Sequence, residues 1–131
     1  MKFLLDTTVL ISMIKNQHDA RRRIENAGIE NCAVSEITLG ELFYGTYKGG
    51  YERHIGEAEF VEDNFIILPV TGCTKTYGRL RAELEAEGIR LDNLDLLIAA
   101  SAIDHKLTLV THNTRHFERI PGLTVIDWEK D

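Results

Sequence analysis

Short apolar segments alternate with longer segments of helical spacing along the whole chain. The short segments predict buried strands at residues 2–6, 32–34, 65–69, 107–111 and 123–126. Between them, apolar residues recur every three or four positions, which predicts helices at residues 7–15, 19–27, 36–47, 51–64, 73–87 and 94–105. Gly88 is the expected stop after residue 87. Strands that alternate with helices predict an α/β fold with a parallel sheet covered on both faces.

Length, charge and cysteine use narrow the class of protein. The 131 residues fit one compact domain, so we expect residues 1–131 to form a single unit. The formal charge of −6 argues against a protein that grips nucleic acid by bulk positive charge, although a nuclease can gather acidic residues around metal ions. Cys32 and Cys73 form no CxxC pair, and Asp6 interrupts the N-terminal apolar run before it reaches signal-peptide length. We therefore expect a cytoplasmic protein with no membrane partner.

Carboxylates lie at the ends or core-facing edges of several predicted elements. Asp6 follows the first strand directly, where a charge is costly without water, a partner or a metal, although it could instead cap the next helix. Glu41 lies among apolar residues, or it completes a T-x-x-E capping box with Thr38. Asp95 opens an apolar helix, where the helix dipole alone would favour it. Each residue by itself therefore has both a functional and a structural explanation.

Neighbouring polar residues have simpler explanations. Capping accounts fully for Asp92, and Glu36 is expected in a first helical turn facing solvent. Thr111 and Asn113 follow the fourth predicted strand, where each could hold a metal-bound water or cap a turn.

The carboxylates are more informative together. The carboxyl ends of parallel strands form one edge, where sites of α/β sheets lie, and Asp6, Glu41 and Asp95 are expected to gather there. Clustered carboxylates repel one another, and a divalent cation relieves that repulsion. All-oxygen ligands select hard ions, Mg²⁺ or Mn²⁺.

The sequence lacks the motifs of several other kinds of functional site. The histidines show no HExxH motif, and the one HxxxH spacing, His112 and His116, falls outside the predicted helices, which does not favour a zinc site. GxGxxG, GxxxxGK[ST] and GxSxG are absent from the sequence, and Thr8 stands where a DxD phosphatase motif needs its second Asp.

Several short stretches, in this order and spacing, resemble the PIN-domain family, and specifically the VapC-type toxin ribonucleases of toxin–antitoxin modules. The stretches are LLDTTVLI, ITLGELFYG, YGRLRAELEAEG, LDLLIAASA, LVTHNTRHFERIPGL and the final VIDW, which together cover nearly the whole chain. The resemblance implies a three-layer α/β/α sandwich with a central parallel sheet. It also implies a metal-dependent endoribonuclease, the toxin of a type II pair, that hydrolyses RNA phosphodiesters, with tRNA or another structured RNA as substrate.

The resemblance also implies a set of site residues and partners. Catalytic positions fall on Asp6, Glu41, Asp95 and Asn113, with Mg²⁺ or Mn²⁺ held by the three acids. Substrate contacts are expected from four residues, Thr7, Thr111, Arg115 and Arg119. A cognate antitoxin and a second copy of the chain in a homodimer are the implied protein partners.

Two departures from the family pattern motivate an alternative. Asn113 replaces the Asp of many members, and Thr8 stands where most have Asn or Asp, so its support of Asp6 is expected to be altered rather than lost. The alternative is a decayed PIN fold that only binds RNA or a partner. We expect residues 21–23 to form a solvated arginine face. Phe43, Tyr44 and Tyr47 could be exposed for contact with a partner or could lie in the core, and the sequence does not decide between the two.

Overall fold

The computed structural model describes residues 1–49 and 51–130, and its strands form one parallel sheet. The strands are β1 (Phe3–Leu5), β2 (Cys32–Ser35), β3 (Ile66–Leu68), β4 (Thr108–Val110) and β5 (Val125–Ile126). Their order across the sheet is β3-β2-β1-β4-β5. Every predicted strand is confirmed, within a few residues at each end.

The helices also agree with the predicted pattern. They are α1 (Thr7–Ile14), α2 (Ala20–Ala27), α3 (Glu36–Gly49), α4 (Tyr51–Asn64), α5 (Thr74–Ala86) and α6 (Asn93–Asp104). Gly88 ends α5 as predicted, with φ +78°. Its N–H donates to the Glu85 carbonyl at 3.0 Å, and the N–H of Ile89 donates to the Leu84 carbonyl at 2.9 Å. These two hydrogen bonds satisfy carbonyls in the last turn of the helix. The left-handed backbone conformation at residue 88 is one that glycine adopts without strain.

Alternating side chains of the central strands divide the core into two layers. Leu4 and Leu109 face the layer that contains α5 and α6, whereas Leu5 and Val110 face the layer built from α1 to α4. All four side chains are fully buried. The predicted three-layer α/β/α sandwich with a central parallel sheet is therefore confirmed.

Pairing of β1 with β4 brings the two predicted polar segments to one edge of the sheet. The N–H of Asp6 donates to the Val110 carbonyl at 3.1 Å, and the N–H of Thr111 donates to the Ile126 carbonyl at 3.1 Å. Asp6 and Thr111 are thus the first residues beyond the ends of two adjacent strands. None of the helices within residues 1–49 and 51–130 has the length and hydrophobicity of a bilayer-spanning segment.

Candidate active site at the carboxyl edge of the sheet

Asp6 is a buried carboxylate that is held by hydrogen bonds from two elements. Only 5% of the residue is exposed. Oδ1 accepts the Thr8 hydroxyl at 2.6 Å and the N–H of Val9 at 3.2 Å, and Oδ2 accepts the Thr111 hydroxyl. Asp6 therefore does cap α1, and the expected support from Thr8 is present.

Burial makes the negative charge of Asp6 unfavourable, and one lone pair of its carboxylate stays free to bind a cation. Burial raises the pKa of Asp6, although the hydrogen bonds from Thr111, Thr8 and Val9 oppose that shift. A carboxylate has about four lone-pair directions, and the three bonds leave one on Oδ2. A cation at Oδ2 would offset the charge that burial disfavours.

Glu41 lies on α3 and faces the start of α1. Its Oε1 accepts the Thr7 hydroxyl at 2.7 Å, a contact between residues 34 positions apart. Thr7, which is expected near the substrate, contacts a carboxylate of the site directly. The bond fixes where Glu41 lies relative to Asp6, because Thr7 is the next residue in the chain.

The capping-box alternative for Glu41 is wrong. Helix α3 begins at Glu36, and the Ser35 hydroxyl accepts the N–H of Ile37 at 3.1 Å. Thr38 therefore lies inside the helix rather than at its cap, and within the described residues its buried hydroxyl oxygen has no hydrogen-bond partner. The motif matched in letters but was displaced from the helix start.

Asp95 is partly buried at the start of α6. Asp92 caps this helix as predicted, accepting the N–H groups of Leu94 and Asp95 at 2.9 and 3.2 Å. Burial raises the pKa of Asp95, as do the charges of Asp92 and Glu41, while His116 acts in the opposite direction. Glu41 therefore lies near enough to Asp95 for its charge to act on that carboxyl.

His116 was not identified by the sequence analysis. Its Nδ1 lies 3.4 Å from Oδ2 of Asp95, and its side chain is 59% exposed. No spacing rule links the two residues, which are brought together only by the fold.

Thr111 and Asn113 follow β4 in different environments. Thr111 is fully buried, and its hydroxyl accepts the N–H of Asn113 at 2.9 Å. Asn113 precedes the 3-10 turn Thr114–His116, but its side chain makes no capping hydrogen bond to that turn. The turn-capping alternative for Asn113 is therefore wrong.

The cationic side chains separate into structural and exposed groups. Arg21 donates to the carbonyls of Met13 and Ile14 at 2.8 and 3.2 Å, and Arg22 pairs with Asp19, so both serve local structure. Arg115 and Arg119 are exposed on the segment that follows Asn113.

The structure also shows which aromatic residues of α3 are buried and which are exposed. Phe43 packs partly buried against the core, whereas Tyr44 and Tyr47 are 63% and 68% exposed. The tyrosines therefore belong to the surface.

The donor set at this edge suits a hard cation held partly through water. Asp6, Glu41 and Asp95 offer only carboxylate oxygens, which fit Mg²⁺ or Mn²⁺. Among the described residues, the acidic or histidine side chains whose ligand atoms all approach within 4.8 Å of one another are His112, Asp127 and Glu129, not these three acids. An ion at the acidic site would therefore keep bound waters, as Mg²⁺ usually does.

Comparisons with known proteins agree with this architecture. The family model for the PIN domain matches residues 3–123. The tRNA(fMet)-specific endonuclease VapC of Shigella flexneri is 36% identical over 130 residues, 98% of each chain. Ribonuclease VapC2 of Rickettsia felis is 37% identical over 134 residues, 99% of this chain and 100% of the relative.

Solved structures agree equally well. The DNA-bound VapBC structure from Salmonella typhimurium matches with a TM-score of 0.89 and 37% identity, over 98% of both chains. The VapBC2 structure from Rickettsia felis, bound to a promoter DNA fragment, matches with a TM-score of 0.88 and 36% identity, over 98% and 99%. The chain therefore belongs to the PIN-domain family, and within it to the VapC ribonucleases.

Proposed function

We propose that this protein is a metal-dependent endoribonuclease, the toxin of a type II toxin–antitoxin pair, that uses Asp6, Glu41, Asp95 and Asn113 to hydrolyse RNA phosphodiesters. The observation that carries the proposal is the buried Asp6 carboxylate, supported by Thr8 and Thr111 at the same sheet edge as Glu41 and Asp95. VapC relatives of the same length carry names of endonucleases and ribonucleases.

Asp6 and Asp95 are the proposed direct ligands of Mg²⁺ or Mn²⁺. When bound, a divalent ion there acidifies a coordinated water and offsets charge on the phosphate. The Thr8 and Thr111 hydroxyls hold Asp6 in one orientation, which aims its free lone pair in a fixed direction. Thr111 thus acts on Asp6, and it also orients the backbone that carries Asn113.

Glu41 is proposed to contact the ion through water and to orient the attacking water. The Thr7 hydroxyl on Oε1 leaves Oε2 to accept a hydrogen bond from that water. Attack by water with the 3′-oxygen as the leaving group would give products that carry a 5′-phosphate and a 3′-hydroxyl. Asn113 can hold a further water through its amide oxygen, since its side chain makes no turn cap.

RNA is proposed to enter from the side of Arg115 and Arg119. Both side chains are exposed and follow Asn113 along the chain, so they can contact phosphates next to the scissile bond. The name of the Shigella flexneri relative, which specifies tRNA(fMet), supports tRNA as the first substrate to test. Because tRNA acts in the cytoplasm, a tRNA substrate implies a cytoplasmic enzyme.

A cognate antitoxin and a homodimer complete the proposal. The similar solved structures are VapBC complexes, one of them bound to a fragment of promoter DNA. Tyr44 and Tyr47 provide an exposed aromatic surface on α3 for protein contact. Light scattering of the purified chain, alone and with the antitoxin, tests both associations.

The decisive experiment is cleavage of total tRNA by antitoxin-free protein with Mg²⁺ or Mn²⁺. Wild-type protein should cut, and EDTA or the change Asp6→Asn should stop the cutting. Asp104→Asn is the matched control, because Asp104 is an exposed acid at the opposite end of α6, where its Oδ1 accepts the Thr76 hydroxyl at 2.6 Å. Cleavage by Asp6→Asn at the wild-type rate would refute the assignment. RNA binding without cleavage of any RNA would instead support the decayed binding module that Thr8 and Asn113 suggested.

A further inference from the structure

Two histidines and two carboxylates from separate segments meet beside the acidic site. They are His18 of the α1–α2 loop, His112 after β4, and Asp127 and Glu129 after β5, and we call them the His–carboxylate cluster. Nδ1 of His112 lies 2.9 Å from Oδ1 of Asp127 and 3.6 Å from Oε2 of Glu129. Nδ1 of His18 lies 3.0 Å from Oε1 of Glu129. The two imidazole rings are 5.2 Å apart between centroids.

These separations match those of ligands on one metal ion. Metal–nitrogen and metal–oxygen bonds of about 2.1 Å place two ligands about 3.0 Å apart at a right angle and about 3.4 Å apart at a tetrahedral angle. The nitrogen–oxygen distances in the cluster span this range. The ligand atoms of His112, Asp127 and Glu129 also lie within 4.8 Å of one another.

The two inner side chains are held firmly in place. Asp127 is 5% exposed, and its Oδ1 accepts the N–H of Glu129 at 2.9 Å. The His112 side chain is 15% exposed, and its Nε2 finds no hydrogen-bond partner among residues 1–49 and 51–130. Among those residues, the polar side-chain contacts of this ring are therefore on the Nδ1 side, which faces the carboxylates.

The two outer side chains are open to solvent. His18 and Glu129 have side chains 40% and 46% exposed. His18 has φ 55°, a left-handed conformation that His adopts more readily than most residues. A pocket of about 420 Å³ reaches the cluster from solvent and is lined by His18, Asp19, Arg23, Trp128 and Glu129. An ion can therefore enter without rearrangement of the fold.

We propose that the His–carboxylate cluster is a second metal site, which takes a transition-metal dication of the Zn²⁺ class through His112, Asp127 and Glu129, with the exposed His18 imidazole turning in as the fourth ligand. Two nitrogen and two oxygen ligands suit Zn²⁺, whereas Mg²⁺ prefers oxygen ligands alone. Two carboxylates also balance the charge of a dication. Zinc motifs such as HExxH place their ligands on one element, whereas these ligands lie on three segments, so no motif in the sequence indicates the site.

An ion here would brace the edge of the acidic site. It would tie the α1–α2 loop and the C-terminal segment to His112, the residue between Thr111 and Asn113. The N–H of His112 donates to the Thr8 hydroxyl at 3.1 Å, and Thr8 in turn donates to Asp6 at 2.6 Å. The two sites are thus neighbours that share backbone but have separate ligands.

The test is calorimetric titration of the purified, antitoxin-free chain with Zn²⁺ in excess Mg²⁺, repeated with Co²⁺ by visible absorption. The ligand variants are His18→Asn, which keeps a residue suited to the left-handed backbone, and Glu129→Gln. Asp95→Asn is the matched control in the acidic site. Circular dichroism confirms that each variant is folded.

Wild type and Asp95→Asn should bind one Zn²⁺ with equal affinity, and both ligand variants should bind about tenfold or more weakly. The Co²⁺ absorption bands should disappear in His18→Asn and remain in Asp95→Asn. Absence of Zn²⁺ binding to wild type, or unchanged affinity in both ligand variants, would overturn the proposal. Loss of binding in Asp95→Asn alone would overturn it too, because the ion would then lie in the acidic site.

Discussion

Thr111 donates its hydroxyl hydrogen to Oδ2 of Asp6 across 105 positions of sequence. The same hydroxyl oxygen accepts the N–H of Asn113 at 2.9 Å, and the residue is fully buried. One side chain therefore connects the ends of β1 and β4 and orients two residues of the proposed catalytic set. The direction of the Asp6 carboxylate depends on strand pairing as well as on its own helix.

Thr111→Val is expected to reduce both stability and RNA cleavage. Valine has nearly the same shape but leaves the N–H of Asn113 and one oxygen of Asp6 without their partner. Loss of a buried hydrogen bond costs about 1–3 kcal/mol of unfolding free energy. Urea denaturation measures this loss, and Thr111→Ser, which keeps the hydroxyl, is the control. Equal stability and activity in Val and Ser variants would contradict the role of the hydroxyl.

Asp6→Asn is expected to raise the melting temperature of the metal-free protein while lowering RNA cleavage by about a hundredfold or more. Burial raises the pKa of Asp6, so the folded protein at neutral pH holds a charge that the unfolded chain solvates better. The neutral amide removes this cost and can keep three contacts, because its oxygen accepts from Thr8 and Val9 and its NH2 group can donate to the Thr111 hydroxyl oxygen. Calorimetry in EDTA measures the change, and a melting temperature below that of wild type would contradict the prediction.

The pH dependence of stability in wild type and Asp6→Asn provides a sharper test of the charge on Asp6. Between the ordinary pKa of 3.8 and the raised value, the folded state binds more protons than the unfolded chain. The unfolding free energy of wild type in EDTA therefore falls as the pH rises through this interval. Asp6→Asn lacks this titration, so the difference in stability between the two proteins should shrink as the pH is lowered toward 3.8. A difference that is constant with pH would show that the charge of Asp6 is not responsible.

Short apolar segments predicted the strands, and apolar residues every three or four positions predicted the helices. Both patterns are informative because they mark the residues that are buried when the chain folds. Leu4 and Leu5 face opposite layers because successive strand residues point to opposite faces, a geometry that any strand has. Gly88 was predictable as a helix stop because its left-handed φ has few alternatives among residue types. Asp6 was predictable as a site candidate because a carboxylate after a buried strand needs a partner.

Contacts between elements were beyond the reach of sequence patterns. Thr7 meets Glu41 only because α3 packs against α1, and His112 meets Asp127 only because β4 pairs with β5. Thr38 matched a capping motif, yet α3 had already begun two residues earlier. The two contacts depend on how elements pack in three dimensions, and the start of α3 depends on where its first turn forms. None of these leaves a fixed spacing of residue types along the chain.

Arg115→Ala is expected to weaken RNA binding in a salt-dependent way. If Arg115 neutralises one phosphate, its loss should reduce the slope of log affinity against log salt by about 1. Binding is measured by fluorescence anisotropy in the Asp6→Asn background, so that the RNA stays intact. Arg22→Ala is the control, since Arg22 pairs with Asp19 at 2.9 Å. An unchanged slope in Arg115→Ala would remove this residue from the RNA interface.

Cys32 and Cys73 are expected to resist alkylation in the folded protein. Burial raises the pKa of the Cys32 thiol to about 11, with a smaller contribution from Glu30, and burial also raises that of Cys73. The thiolate is the reactive form, and it is scarce at pH 8 under these conditions. Mass spectrometry after iodoacetamide treatment should show modification only when denaturant is added. Rapid labelling of either cysteine without denaturant would contradict the structure.

Two glycines around helix α5 are expected to respond oppositely to alanine. Gly78 lies within the helix, and a Cβ there meets no atom within 4 Å, so Gly78→Ala should raise the unfolding free energy by about 0.5–1 kcal/mol. Gly88 has equally open space but φ +78°, so Gly88→Ala should lower it by about 1–2 kcal/mol. Because added volume is tolerated at both positions, the opposite signs isolate the backbone conformation. Urea denaturation of the two variants beside wild type measures both changes, and destabilisation by Gly78→Ala would show that α5 needs glycine for another reason.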